Sequence, residues 1–349
     1  MQTPASILVI NVSRIGDTLL AIPAIRALAE HWPDANLTVL AHPSRQELLR
    51  NLPYIDHVGS IDKNRARWLG YMAGNKYDLA VVFGFDRPLV TYALRQARAV
   101  CAFRQADDRI NRRLAVVAEP YLPNSGHIAK LQMRLVEALG VHSGNLALDY
   151  RVSEAENAWA KQRLAQDVGA ARTPLIGLQV ASFPTKSYRD WPLQNFIDIC
   201  HRIQARWANP HFLILGGAAE AQRTEALHQE LKGCSTLYAG KLTLRQTGAL
   251  MQQLDLFIGV DTGPTHIMGT LERPMIVLYH PAHPSWKLAP PARADFFAVD
   301  HPVSNGIEQA DLSMDGISVE SVWDRVVRAL AQHPPVSSAQ RQFEHNVNP

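Results

Sequence analysis

The segment with the clearest chemical signature spans residues 260–269 and has the sequence Val-Asp-Thr-Gly-Pro-Thr-His-Ile-Met-Gly. It follows an apolar run that is typical of a short buried strand. Asp261 and Thr262 stand where a helix would be N-capped, and Gly263 frees the backbone for the turn. A helix start presents unpaired N–H groups and about half a positive charge, so it is a natural seat for phosphate. Because most capped helix starts hold no ligand, this pattern alone only suggests a phosphate site.

A second segment, residues 181–192, carries two cations and three small hydroxyl side chains. The cations are Lys186 and Arg189, and the hydroxyls include Ser182 and Thr185. Cations and hydroxyls together suit a diphosphate, because they supply charge and hydrogen bonds where negative charge builds up on a leaving group. The alternative is a solvated surface loop that is anchored by its tryptophan.

Two further positions fit the same chemistry. Gly216-Gly217 lets the backbone approach a ligand, and Glu220 then offers an acid to ribose hydroxyls. The alternative is a strand-to-helix turn whose acid is favoured by the helix dipole. His266 falls on the first turn of the helix after Gly263, although a lone histidine more often serves packing than catalysis.

Near the start of the chain, Gly16 and Asp17 lie between a strand at 7–11 and an apolar-rich helix at 19–29. A carboxylate in this loop is expected on the floor of a cleft, where it would act as general base toward a hydroxyl. The alternative is an N-cap of the helix. The loop lacks Gly-x-Gly-x-x-Gly, which counts against an ordinary dehydrogenase.

A basic stretch follows between residues 86 and 113, with seven arginines against three aspartates. Arginines without interleaved aromatic residues suit phosphate or carboxylate groups on an acceptor, or an anionic membrane surface. We assign Arg104, Arg109 and Arg112 to the acceptor. A solvated helix face is the alternative.

The elements around these residues alternate between strand and helix. Strands are predicted at 7–11, 37–40, 56–61, 79–83, 175–180, 211–215, 235–238, 254–259 and 274–279. This alternation predicts an α/β fold with two Rossmann-like domains facing across a cleft. The candidate segments all follow strands, at the carboxyl ends where such sheets bind ligands. We place the domains at 1–165 and 166–333, with a disordered tail at 334–349; the joining helix, 154–166, could belong to either half.

Composition limits the function classes. The chain has 349 residues, a formal net charge of +3 and 47% hydrophobic residues, as expected for a globular protein that does not bind nucleic acid. Its three cysteines are far apart and no histidines stand at ligand spacing, which argues against disulfides and against a metal site. No segment reads as a signal peptide or a membrane span, so a cytoplasmic location is expected.

Taken together, these motifs resemble the heptosyltransferases of glycosyltransferase family 9, which build the inner core of lipopolysaccharide. The resemblance runs from about residue 6 to residue 332 and is carried, in order, by Ser13-Arg14-Ile15-Gly16-Asp17-Thr18-Leu19 with Pro23, Tyr188-Arg189-Asp190-Trp191-Pro192, Gly216-Gly217-Ala218-Ala219-Glu220, and Asp261-Thr262-Gly263-Pro264-Thr265-His266.

The resemblance implies the GT-B fold, with the acceptor bound mainly by the first domain and the donor by the second. It implies an inverting, metal-independent transfer of heptose from ADP-L-glycero-D-manno-heptose to an inner-core hydroxyl, with no cofactor besides this nucleotide sugar. Asp17 would be the general base, with Gly16 beside the acceptor. The acceptor would be the phosphorylated lipid A and core oligosaccharide, which leaves open a peripheral contact with the inner face of the inner membrane.

For the donor, the resemblance implies that Lys186 or Arg189 neutralises the leaving diphosphate. The other implied contacts are Glu220 with the ribose, Leu242 with the adenine, Asp261 with the sugar, the Thr262-Gly263 backbone with the phosphates, and His266 beside them.

The sequence departs from the family pattern at two places. The usual Lys-x-Trp-Pro is here Arg189-Asp190-Trp191-Pro192, so either Lys186 or Arg189 could meet the diphosphate. Where the family commonly has Gly-Pro-Thr, this chain has His280-Pro281-Ala282, which leaves the donor sugar open. A family-9 transferase of another nucleotide-activated sugar, a GT-B-like sugar-nucleotide epimerase and a silent binding protein are the alternative functions.

Overall fold

The computed structural model describes residues 3–69, 74, 76–122, 124–169, 172–291, 293–303 and 312–336. The chain divides into two compact units, Met1–Arg151 and Val152–Pro349. Of the tail predicted to be disordered, residues 337–349 lie outside the described residues, while the Val336 carbonyl accepts a hydrogen bond from Thr173 Oγ1 at 3.2 Å.

The first unit is built on a parallel six-stranded sheet. Its strands are β1 (Ser6–Asn11), β2 (Asn36–Ala41), β3 (His57–Ser60), β4 (Tyr77–Phe83), β5 (Ala97–Phe103) and β6 (Val116–Ala118). They lie in the order β3-β2-β1-β4-β5-β6. The central strands are continuous apolar runs, because a parallel sheet that is covered by helices is buried on both faces.

The second unit repeats this topology. Its strands are β7 (Leu175–Gln179), β8 (His211–Leu215), β9 (Ser235–Leu237), β10 (Leu256–Val260), β11 (Met275–Tyr279) and β12 (Phe296–Asp300). They lie in the order β12-β11-β10-β7-β8-β9, again all parallel. Both units therefore have the doubly wound Rossmann order, in which the strand sequence reverses beside the first strand.

Helices connect the strands in both units. Those of the described residues are α1 (Ile15–Leu20), α2 (Ile22–His31), α3 (Lys63–Leu69), α4 (Arg87–Gln96), α5 (Asp108–Asn111), α6 (Ile128–Glu137), α7 (Glu154–Asp167), α8 (Leu193–Arg206), α9 (Ala221–Glu230), α10 (Leu244–Met251), α11 (Gly263–Met268), α12 (Ser285–Leu288) and α13 (Val319–Gln332). None of these is both long and apolar enough to cross a membrane.

Helix α7 belongs to the second unit, one of the two placements that the sequence left open. Ser153 caps its start together with Glu156. Glu156 also binds Arg245 of α10 through two oxygens, at 2.7 and 2.6 Å. This guanidinium, helped by the cap, lowers the pKa of Glu156 to about 2 against the opposing effect of burial. The contact of α7 with α10 thus ties the joining helix to the second sheet.

Three strands were not predicted from the sequence: β5, β6 and β12. The basic stretch at 86–113 is not one solvated helix face, since it contains α4, β5 and α5. The charge of Arg98 makes β5 hard to recognise as a strand in the sequence. In the structure Arg98 is the second residue of β5, is exposed, and pairs with Asp78 at 3.3 Å. The residues from Val100 to Phe103 that follow are buried in the sheet.

Candidate functional site

In the second unit, the reversal of strand order falls between β7 and β10. Connections leave neighbouring strands toward opposite faces at such a reversal, which opens a crevice at their carboxyl ends where ligands of doubly wound sheets bind. The segment after β7 is residues 181–192, and the segment after β10 starts with Asp261. The topology thus brings together the two segments that the sequence singled out for a diphosphate.

The loop after β7 is held in shape by its own hydrogen bonds. Asp190 Oδ1 accepts from both the backbone N–H and the hydroxyl of Ser182, at 2.7 Å each. The Ser182 hydroxyl is also 2.7 Å from the Lys186 carbonyl. Burial raises the pKa of Asp190, although these bonds and Arg223 act against the rise. Ser182, predicted to contact the donor, therefore closes the loop, while Thr185 is exposed on it.

Two contacts anchor this loop to the core. Trp191 is completely buried and its Nε1 donates to the Ile317 carbonyl at 2.8 Å. Arg223 of α9 donates from Nε to the Val180 carbonyl at 2.8 Å and also to the Trp191 carbonyl. The loop is fixed at both ends, so its cations hold defined positions at the crevice.

At the crevice, Arg189 and Asp261 form an ion pair across the two segments. Arg189 Nη1 lies 3.3 Å from Asp261 Oδ2, and their side chains are 16% and 4% exposed. His266 Nε2 lies 3.3 Å from the other oxygen, Oδ1. Burial alone would raise the pKa of Asp261, but His266, Arg189 and His283 together hold it below its usual value. Asp261 is thus an ionised carboxylate enclosed by cationic and imidazole groups.

Two atoms of this cluster have unused hydrogen-bonding capacity. Arg189 Nε and Asp261 Oδ1 are buried, and neither makes a hydrogen bond of good geometry within the described part of the chain. A buried polar atom without a hydrogen bond costs about 1–3 kcal/mol, so such atoms are few in native proteins.

Aromatic and imidazole rings line the same place, although the sequence analysis assigned no contact to any of them. Tyr188 Oη lies 3.2 Å from His283 Nε2 and its ring meets His280 edge-on at 4.9 Å. Lys186 Nζ and Arg189 Cζ lie 5.5 and 5.7 Å from the Tyr188 ring centre. Burial and the charge of Arg189 lower the pKa of His283 to about 4, so this imidazole is neutral near pH 7. His283 follows β11, which lies next to β10 in the sheet, and this position is the sequence signal that could have placed it at the crevice.

Lys186 differs from Arg189 in its partners. Among the residues that the structure describes, Lys186 forms no ion pair with a carboxylate, and it is only half-buried. The charge of Arg189 is largely offset by Asp261, whereas the charge of Lys186 remains available to a ligand.

The predicted nucleotide contacts lie at the carboxyl ends of β8 and β9. Glu220 Oε2 accepts from the Gly217 N–H at 2.5 Å. One carboxylate oxygen therefore closes the strand-to-helix turn, as in the alternative that the sequence left open. Burial raises the pKa of Glu220, and the charge of Asp190 adds to the rise. The Gly240 N–H donates to the Gly216 carbonyl at 2.9 Å, which joins this turn to the loop carrying the half-buried Leu242.

The start of α11 lacks the side-chain cap that the sequence suggested. Thr262 occupies the N-cap position without a side-chain cap bond, and Asp261 is engaged by Arg189 instead. The Thr265 hydroxyl donates to the Val260 carbonyl at 2.6 Å, and Gly263 opens the helix. Since α11 has only six residues, its dipole is a minor part of the local charge.

In the first unit, Asp17 lies on the first turn of α1, at the carboxyl end of β1. The N-cap of α1 is Arg14, so the alternative that Asp17 is an N-cap is wrong. The buried Gly16 precedes it, and Asp17 itself is half-buried. Ser13 Oγ donates to Asn11 Oδ1 at 2.6 Å and lies 3.0 Å from the hydroxyl of Thr18, which fixes the loop beneath the carboxylate.

Two arginines, to which the sequence analysis assigned no role, adjoin this loop. Arg14 precedes α1 and Arg45 follows β2, the neighbour of β1 in the sheet. Burial and the charge of Arg14 lower the pKa of Arg45, and burial and Arg45 lower the pKa of His42. Like charges that repel one another at a strand edge are typical of an anion-binding surface.

The arginines assigned to the acceptor lie directly after β5 and on or beside α5. Arg104 Nε is 3.1 and 3.0 Å from the two oxygens of Glu119, and Arg109 Nε is 3.2 Å from Asp107. Arg112 is exposed. The first pairing follows from register, because Arg104 and Glu119 succeed the paired residues Phe103 and Ala118.

In the parts of the chain that are described, no group of three or more His, Cys, Asp or Glu side chains could hold a metal ion.

Solved structures share this architecture. Glycosyl transferase family 9 from Veillonella parvula superposes with a TM-score of 0.81 at 18% identity, covering 95% of this chain and 99% of the other. Escherichia coli ADP-heptose lps heptosyltransferase II gives 0.78 at 19%, covering 94% and 99%. With two parallel six-stranded sheets, these likenesses confirm the predicted α/β, GT-B fold.

Sequence comparison gives the family. Lipopolysaccharide heptosyltransferase 3 of Escherichia coli is 25% identical over 342 residues, 93% of this chain and 97% of that protein. The family described as glycosyltransferase family 9 (heptosyltransferase) matches residues 111–299, more than half of the chain. The protein therefore belongs to glycosyltransferase family 9, the heptosyltransferases, and is an enzyme that transfers a sugar.

Proposed function

We propose that this enzyme transfers heptose from ADP-L-glycero-D-manno-heptose to a hydroxyl of the lipopolysaccharide inner core, with inversion at the anomeric carbon. Family membership supports glycosyl transfer, and the similar proteins named for lipopolysaccharide heptosyl transfer support the substrates. The observation that carries the donor assignment is the cluster of Lys186, Arg189, Asp261 and His266 at the strand-order reversal of the second unit.

In this proposal Lys186 binds the diphosphate of the donor. No carboxylate of the described residues pairs with this ammonium group, and charge-assisted bonds to phosphate are about twice as strong as neutral ones. Arg189 orients Asp261, whose carboxylate accepts hydroxyls of the sugar, and His266 holds the second oxygen of Asp261. The backbone of Thr262 and Gly263 and the exposed Thr185 complete the phosphate contacts.

The nucleoside lies, in the same proposal, along the carboxyl ends of β8 and β9. Leu242 packs against the adenine, and Glu220 accepts from a ribose hydroxyl. A glutamate whose pKa is raised by burial gains from such a bond, because a hydroxyl donor stabilises its ionised form.

The acceptor end of the reaction falls to Asp17. The carboxylate takes the proton of the acceptor hydroxyl while that oxygen attacks the anomeric carbon, and the bond from this carbon to the diphosphate breaks with inversion. The electron pair leaves with ADP, whose developing charge is stabilised by Lys186. Since fixed cations supply that charge, we propose that the transfer needs no metal ion, and activity should survive excess EDTA.

We further propose that the acceptor is the phosphorylated lipid A and core oligosaccharide. Arg14 and Arg45 supply positive charge beside the loop of Asp17. Gly16 has no side chain, so the acceptor can approach the backbone next to Asp17. Arg104, Arg109 and Arg112 are proposed as a further basic surface for the acceptor. An acceptor with a lipid anchor would bring the enzyme to the inner face of the inner membrane.

The test is turnover of ADP-heptose with heptose-deficient core acceptor, measured for the wild type and for Asp17→Asn. We expect turnover to fall at least a hundredfold while the affinity for ADP stays within a few-fold. The matched control is Asp62→Asn, since Asp62 lies at the same sheet edge and its Oδ1 accepts a local bond from the Arg65 N–H at 2.8 Å. Near-normal turnover of Asp17→Asn would remove Asp17 from the base role.

The donor is tested by calorimetry with ADP, UDP, GDP and dTDP, side by side and without added metal. Preference for ADP supports the ADP-heptose donor. Preference for another nucleotide would keep the family and the role of Asp17 but assign a different activated sugar.

A further inference from the structure

Three aromatic side chains meet at the carboxyl end of the first sheet. Phe85 follows β4, Phe103 ends β5, and Tyr121 follows β6. The rings of Phe85 and Phe103 stack with their centres 5.5 Å apart and their planes at 28°. The ring of Tyr121 meets Phe103 edge-on, with the centres 5.9 Å apart and the planes at 87°. Such offset and edge-on arrangements are the favoured geometries of aromatic pairs.

The three rings differ in exposure. Phe103 is 1% exposed, whereas Phe85 is 55% exposed. Full burial of the ring would stabilise the fold more than this half-exposed position does, so stability alone does not favour this position of Phe85. The buried Phe103 instead supports an outer ring that presents an apolar surface to a ligand.

This aromatic cluster lies beside the proposed catalytic base. In the first unit the strand order reverses between β1 and β4, so Phe85 and the loop of Asp17 flank the crevice where doubly wound sheets bind ligands. The charge of Asp17 also reaches Tyr121, since it adds to burial in raising the pKa of the Tyr121 phenol. An apolar ring and a carboxylate thus adjoin the same crevice.

We propose that Phe85, supported by Phe103 and Tyr121, is the binding surface for the sugar ring of the acceptor, which it holds with the reacting hydroxyl toward Asp17. A pyranose ring has an apolar C–H face and polar hydroxyls around its edge. An aromatic ring can cover the face by dispersion and weak C–H contacts while a carboxylate meets the edge. This inference rests on the proposed function, because it assigns the acceptor subsite of that reaction.

The test compares Phe85→Ala and Phe85→Tyr with the wild type, using a delipidated, heptose-deficient core oligosaccharide. Loss of the stacking ring should weaken binding by about 1.4 kcal/mol, which is a tenfold change in Kd. We therefore expect Phe85→Ala to bind the oligosaccharide about tenfold more weakly in calorimetry. The KM for the oligosaccharide should rise in the transfer assay. Phe85→Tyr keeps the ring and should stay within threefold. Because more than half of Phe85 is exposed, the Tm should fall only slightly, and the affinity for ADP should be unchanged.

The matched control is Trp68→Ala, which removes an exposed aromatic ring of α3, 79% exposed, from the same unit. Equal oligosaccharide affinity in Phe85→Ala and the wild type would overturn the inference, even if heptosyl transfer is confirmed. So would a wild type that does not bind the oligosaccharide. If the oligosaccharide binds in a Phe85-dependent manner but ADP-heptose gives no product, the aromatic subsite stands and the proposed donor fails.

Discussion

Arg189 and Asp261 form a largely buried ion pair that joins the segment after β7 to the segment after β10, at the strand-order reversal of the second unit. Removing two charges from water is costly, and their attraction repays this only when further groups complete the arrangement. Here His266 approaches the second carboxylate oxygen, and Tyr188 lies beside the guanidinium. The pair therefore serves to position two loops against each other and is not simply a source of stability.

Arg189→Ala should destabilise the enzyme because it leaves the Asp261 carboxylate buried without its guanidinium partner. Breaking a buried pair on one side costs about 3–5 kcal/mol, so we expect a clear fall in Tm and in the denaturant midpoint. Arg202→Ala is the control, since Arg202 binds Glu320 at 2.9 and 2.7 Å on the surface. That pair is exposed to solvent, so its loss should change the Tm little, and equal losses in the two variants would contradict the assigned role of Arg189.

Lys186→Ala should act on the donor and leave the fold intact. Its charge has no carboxylate partner among the described residues, so its removal deprives only the ligand. A hydrogen bond to a charged group contributes about 1.5–3 kcal/mol, so we expect the Kd for ADP to rise roughly tenfold or more with little change in Tm. Lys232→Ala, at an exposed position, is the control for loss of one positive charge. Unchanged ADP affinity in Lys186→Ala would assign the diphosphate to another group.

The sequence allowed much of the second unit's site to be predicted. The segments that hold Lys186, Arg189 and Asp261 each follow a continuous apolar strand, and parallel strands place their carboxyl ends at one edge. That Arg189 pairs with Asp261 could not be predicted, because it depends on which strands are neighbours. The contact between Tyr188 and His283 could not be predicted for the same reason, because it joins the loops that follow β7 and β11.

The first unit was harder to predict. The charged Arg98 made strand β5 hard to recognise, and without this strand the positions of Phe103 and Arg104 in the sheet cannot be predicted. The assignment of Arg104 to the acceptor stays a prediction, but its pairing with Glu119, which lies after the neighbouring strand, was not foreseen. A salt bridge between adjacent strands has no local signature in the sequence, since it requires the register of the pairing.

Arg45→Ala should weaken the acceptor and not the donor. The charge of Arg14 already opposes the ionised form of Arg45, and an anionic acceptor group would relieve this repulsion. We expect the KM for phosphorylated core acceptor to rise about tenfold, and the rise should shrink at high salt as the interaction is screened. Arg98→Ala, which breaks the exposed pair with Asp78, is the matched control. A KM for acceptor that stays at the wild-type value would remove Arg45 from the binding surface.

Stability should fall in acid because of buried neutral histidines. His211 is the first residue of β8, its Nε2 lies 2.8 Å from Thr236 Oγ1, and its Nδ1 is buried without a hydrogen bond within the described residues. Burial, helped by the charges of Arg172 and His228, lowers the pKa of His211 from 6.5 to about 4. Between these two values the unfolded chain binds a proton that the folded chain does not, so stability decreases as pH falls from 6.5 to 4 and is fully present above 6.5.

The expected size follows from the same linkage. At pH 5 the His211 imidazole alone accounts for about 2 kcal/mol of lost stability relative to neutral pH. His211→Gln should therefore show a smaller difference in denaturant midpoint between pH 7 and pH 5 than the wild type, whatever its stability at pH 7. The exposed His142→Gln should keep the wild-type pH dependence. If His211→Gln and the wild type lose the same stability between pH 7 and pH 5, the His211 imidazole is not held neutral by its burial.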